Sequence, residues 1–193
     1  MSRPREFDVD RTLHQAMEVF WTKGFKATSY EDITRATEVK KQSLYCVFKD
    51  KRELFLKALA LYREQTIAKL EELASREVSP LKKLEAVCEA TLYQNDEAIH
   101  RGCLMVNSAL EFGDDDREVS REISLMFEQV ERILEKIICD GQEQRLITTS
   151  RSGKELADYL NNVLRGAKVM EKSGDPRERI AEVLRTSFAL MAP

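Results

Sequence analysis

Residues whose types and spacing could do chemistry fall in two places. In residues 41–48, KQSLYCVF, Lys41, Gln42, Ser43 and Tyr45 stand among the apolar Leu44, Val47 and Phe48. At helical spacing the polar four face outward and the apolar three inward. Such a surface suits nucleic acid, because Gln pairs bidentately with adenine and Lys reaches guanine acceptors. The other place is His100 and Cys103, which would meet on one helix face as a base and a nucleophile. No third orienting group or oxyanion site accompanies them, and the remaining histidine, His14, lies in the N-terminal segment. Hydrolysis lost on replacing Cys103 would be the mark of an enzyme, and the sequence gives little reason to expect it. A purely structural or protein-binding helical module is the other alternative.

Cysteines 46, 88, 103 and 139 are far apart, without a CxxC pair or zinc-ligand spacing. They read as small buried hydrophobes, with a redox role for Cys103 as the competing reading. No metal or cofactor is expected. No apolar run approaches a membrane span, and the N-terminus lacks the apolar stretch of a secretory signal, so a cytoplasmic protein is expected.

A helix as short as 41–48 is unstable alone, so a scaffold must carry it. Apolar residues recur at helical spacing through most of the 193 residues, while glycine and proline are few. The chain therefore reads as all-α with about nine helices. The first covers residues 10–22, ended by Lys23 and Gly24. Thr28 and Glu31 have the spacing of a capping box opening the second, whose inner face is Ile33 and Ala36. Thr37, Glu38 and Val39 form the turn before the third. Asp50 and Glu53 repeat the box spacing at the start of a fourth that runs towards Leu73. Further helices follow over 81 to 95 or 96, 102–112, 119–138 (ending before Gly141), 156–170 and 180–191. Charge divides the chain: residues 1–52 carry 11 Lys/Arg against 8 Asp/Glu, the rest 20 against 26. A basic head on an acidic body suits presentation of one end to a polyanion. The expected domains are 1–52, with the fourth helix as connector from about residue 50, and 53–193.

The segments AMEVFWTKGF (16–25), TSYEDI (28–33) and VKKQSLYCVFKDKRELF (39–55) resemble the tetracycline-repressor family of bacterial transcription regulators. The resemblance implies a helix-turn-helix head whose third helix enters the DNA major groove, and a helical C-terminal body for effector binding and dimerisation. It implies phosphate contacts at Tyr45 and Lys51 with Thr28 assisting, and no catalysis. Lys51 opens the fourth helix, where free N–H groups already favour an anion. Lys41 and Gln42 are the expected base readers, with Lys40 and Ser43 beside them. Arg3 and Arg5 are a flexible tail or a minor-groove arm. Two departures stand out: Glu38 occupies a turn position usually held by glycine, and Lys40 replaces the usual Ser or Thr cap.

The partners so implied are a palindromic double-stranded operator, a second copy of the chain and a small hydrophobic or amphipathic effector that releases a repressor. The expected dimer contacts are Leu156, Leu160, Val163, Ile180, Leu184 and Phe188. Tyr62, Tyr93, Met105, Asn107, Phe112 and Phe127 are candidate effector contacts, and Glu111 could face a cationic one.

Overall fold

The computed structural model describes residues 7–92 and 101–193. Arg3, Arg5, Tyr93, His100 and the expected end of the fifth helix at 95 or 96 lie outside the described residues. Among those described are nine α-helices and no strand. They are α1 (Val9–Lys23), α2 (Tyr30–Thr37), α3 (Lys41–Val47), α4 (Lys51–Ala74), α5 (Pro80–Leu92), α6 (Leu104–Phe112), α7 (Arg117–Glu143), α8 (Gly153–Ser173) and α9 (Arg177–Leu190). The all-α expectation holds.

The described residues form two compact units: 7–65 with 103–123, and 66–92 and 101–102 with 124–193. In the first, α1 buries Ala16, Met17 and Phe20. An aromatic cluster fills its centre. Phe55 lies 5.0 Å from both Phe20 and Phe25 and 5.6 Å from Phe112, so α1, the loop after it, α4 and α6 share one core. In the second unit, Asn161 of α8 donates to the Phe127 carbonyl of α7, and the Arg165 guanidinium stacks 3.8 Å from the Phe127 ring. A buried Lys168–Glu171 pair at 2.8 Å completes that side of α8. Burial pushes the Glu171 carboxyl up, opposed by the bond from Lys168.

Several boundaries differ from expectation for physical reasons. The capping box of α2 is Ser29 with Asp32, not Thr28 with Glu31: Asp32 N–H donates to Ser29 Oγ, and Ser29 N–H to Asp32 Oδ2. Thr28 is buried and spends its hydroxyl on the Gly24 carbonyl. The inner face of α2 is Ile33 and Thr37, while Ala36 is exposed. Thr37 tolerates burial because its hydroxyl donates to the Ile33 carbonyl and accepts the Val39 N–H. Gly141 lies inside α7 instead of ending it. A Cβ there would stand 2.6 Å from Ile147 Cδ1, so this glycine serves close approach.

Glu38 ends α2 at φ 57°, the left-handed conformation that costs a residue with a Cβ on the order of 1 kcal/mol. Glycine would remove that cost but enlarge the unfolded ensemble. Glu38→Gly should therefore raise unfolding stability only slightly, by up to about 0.6 kcal/mol, in chemical denaturation. A loss of stability would show the turn unstrained.

Candidate nucleic-acid interface

Helix α3 has seven residues and no side-chain cap: Lys40 precedes it without capping any N–H. Its pose comes from the scaffold. Leu44 and Phe48 are each 2% exposed and anchor the inner side, while Lys40, Lys41, Gln42 and Tyr45 are exposed and Ser43 is half-buried. Lys49 is exposed as well, and so are Cys46 and Cys139, so of the four cysteines expected to be buried only Cys88 and Cys103 are. The outward polar side expected of this helix is therefore present.

A residue that sequence reasoning passed over holds this side together. The Tyr30 ring, at the first position of α2, lies 5.2 Å from that of Tyr45. The Lys41 ammonium sits over both, 4.6 Å from the Tyr30 centroid and 5.7 Å from that of Tyr45. The cation meets the negative faces of two rings, so its side chain is restrained near the helix surface. Tyr30 Oη also accepts the backbone N–H of Lys51 at 2.8 Å, in the first turn of α4. Burial, then the bond to Tyr45, pushes the Tyr30 phenol up to about 12, so it stays neutral near pH 7. Only an aromatic at the start of α2 hinted at this role.

Lys51 is committed in part. Its ammonium donates to the carbonyls of Thr28 at 2.8 Å and Phe25 at 3.0 Å, 4.3 Å above the Phe25 ring. Three N–H donors minus two leaves one for an external oxygen. Thr28 is 1% exposed and presents no hydroxyl outward; exposed Ser29 stands at the mouth of α2 in its place.

Other expected site residues lie elsewhere. Tyr62 is buried, packs edge-on against Trp21 at 5.0 Å and has its hydroxyl 3.7 Å from Cys103 Sγ, the N-cap of α6. Met105 is fully buried and Asn107 half-buried. Phe112 belongs to the aromatic cluster, and half-buried Phe127 carries Arg165 on its ring. Glu111 is half-buried, and its carboxylate accepts the backbone N–H groups of Phe25 and Lys26. Of the expected dimer contacts, Leu156, Leu160, Ile180 and Leu184 are buried within the subunit, and Val163 and Phe188 are half-exposed. The exposed stripe of α8 is Tyr159, Gly166 and Val169.

The pattern for "Bacterial regulatory proteins, tetR family" matches residues 13–58, and that for "Tetracyclin repressor-like, C-terminal domain" matches residues 80–187. The transcriptional repressor ComR of Escherichia coli K12 is 28% identical over 97% of this chain and 90% of its own length. The repressor DhaR of Mycobacterium sp. GP1 is 29% identical over 94% and 90%. A solved structure of a cysteine-substituted CifR, a TetR family regulator complexed with 26-bp operator DNA, is 30% identical with a TM-score of 0.83. It covers 98% of this chain and 100% of its own. The fold and these likenesses define a helix-turn-helix transcriptional regulator. The chain belongs to the TetR family. No helix among the described residues is long and apolar enough to cross a membrane.

Arg52 of α4 binds Asp116 through two bonds, at 2.7 and 2.8 Å, and Glu118 at 2.6 Å. The guanidinium holds the Asp116 carboxyl down to about 2. An unfolded Asp titrates near 3.9, so the stabilisation is complete above that pH and fades as pH falls towards 2. Asp116→Asn should flatten that stretch of the acid-unfolding curve. A curve superimposable on the wild type between pH 4 and 2 would contradict the linkage.

Proposed function

We propose that the chain is a cytoplasmic, non-catalytic repressor that binds a palindromic operator as a homodimer and is released by a small hydrophobic or amphipathic effector. The single observation carrying this reading is the outward polar side of α3, with Lys41 and Gln42 exposed and Tyr45 braced by Tyr30. ComR and DhaR being repressors, and the CifR relative binding operator DNA, support it. In this assignment Gln42 and Lys41 read base edges, with Lys40 and Ser43 beside them. Tyr45 and the remaining N–H of Lys51 meet phosphates.

Two heads are needed, since one short helix reads few base pairs and half-sites sit about one turn apart. The stripe of Tyr159, Val163, Gly166 and Val169 on α8, with Phe188 and the exposed Leu190 of α9, supports the partner contact better than the buried leucines. Gly166 has open space around it, so a second helix can approach closely. A stable interface of this kind buries about 2,000 Å².

Two measurements test this. Operator binding should weaken steeply with salt; a log–log slope near zero would remove the phosphate contacts and the regulator reading. Tyr45→Phe, which keeps the ring against Tyr30 and removes only the hydroxyl assigned to phosphate, should weaken all DNA uniformly, whereas Gln42→Ala should relax choice at one base position by about 1–3 kcal/mol. Matching effects from both would overturn the division of roles. Separately, Val169→Glu should leave the fold intact but yield monomers by light scattering at micromolar concentration, with operator affinity lost. A variant that remains dimeric places the interface elsewhere.

A further inference from the structure

The loop joining α1 to α2 is tied to residues far along the chain. Glu111, next to last in α6, sets its two carboxylate oxygens on two successive backbone N–H groups. Phe25 N–H donates to Oε2 at 2.9 Å and Lys26 N–H to Oε1 at 2.5 Å. The Lys26 ammonium returns to the Glu111 carbonyl at 2.7 Å, near the C-terminal end of α6, where cations are favoured. Gly24 permits this approach. Its φ is +80°, and a Cβ built on it would stand 2.9 Å from Glu111 Oε2.

The same loop is held from its carbonyl side. Lys51 binds the carbonyls of Phe25 and Thr28, so both polar backbone groups of Phe25 are fixed by side chains of other helices. The Lys51 N–H rests on Tyr30, whose ring braces Tyr45. A contiguous set of bonds thus runs from α6 through the loop and α4 to the exposed tyrosine of α3. A forked acceptor on two neighbouring N–H groups sets the rotation of the loop as well as its position, which one bond cannot do.

We propose that Glu111 is a positioning residue for DNA binding, holding the α1–α2 loop, and through it α2 and α3, in the pose that meets the duplex. The inference rests on the regulator reading above. It places a residue of the C-terminal matched segment, 80–187, within the working DNA-binding unit, outside the 13–58 segment that matches the head pattern.

The test uses full-length protein and a duplex selected by the wild type from a randomised pool, with an unrelated duplex of equal length beside it. Glu111→Ala should bind the selected duplex at least tenfold more weakly and the unrelated one within threefold of wild type. Hydrogen exchange at residues 25 and 26 should speed up in parallel. Glu111→Gln keeps one acceptor oxygen but sets an amide N–H₂ against the other donor, so it should fall between. Glu122→Ala breaks an ion pair with Arg63 in the same unit without touching the loop, and controls for lost stability. It should leave the affinity ratio unchanged. Wild-type affinity and ratio in folded Glu111→Ala, or an equal loss in Glu122→Ala, overturns the proposal. Failure of the wild type to select any duplex would instead sink the regulator reading itself.

Discussion

A seven-residue helix cannot hold its shape in water, because the cost of nucleation outweighs the few bonds it closes. Everything α3 does must therefore be imposed by its neighbours. Leu44 and Phe48 supply the apolar anchor, and Tyr30 supplies the polar one by touching both Tyr45 and the first turn of α4. The outer face is thereby left free of structural duties, apart from the Lys41 cation resting on two rings.

The charges nearby do more positioning than their formal signs suggest. Lys51 and Lys26 are spent largely on carbonyls, and Glu111 on N–H groups, so the loop between α1 and α2 is built from charge-assisted bonds to backbone. These are stronger than neutral hydrogen bonds and have defined directions. Lys23, paired with Asp32 at 2.5 Å, adds to the same pattern at the opening of α2 and holds that carboxyl well below the usual carboxylate range. The lysines of the mildly basic head are thus not a loose cloud of cations: Lys51, Lys26 and Lys23 are held in place by these bonds, and only part of their N–H donor capacity is left for a polyanion.

The helix order and the exposed side of α3 were legible because both follow from apolar spacing over single segments. What was misread follows equally from local ambiguity. Thr28 and Ser29 each have an acidic residue three positions on, so two capping registers fit, and only the burial of Thr28 selects between them. Gly141 looked like a helix end, yet the reason for glycine there is the Ile147 side chain after the turn. On α8 the apolar stripe is wide, and sequence does not tell the leucines that face the subunit's own core from Tyr159 and Val169, which face out. Glu111 carried no local signal, its partners being 85 and 86 residues away.

DNA recognition depends on where α3 sits when the protein meets the duplex. The most direct measurement is a structure of the full-length dimer on its selected duplex. Both copies of α3 should lie in successive major grooves about 34 Å apart, with Gln42 and Lys41 at base edges and the Tyr30–Tyr45 pair intact. Copies of α3 lying outside the grooves, or DNA held by another surface of the chain, would contradict this placement.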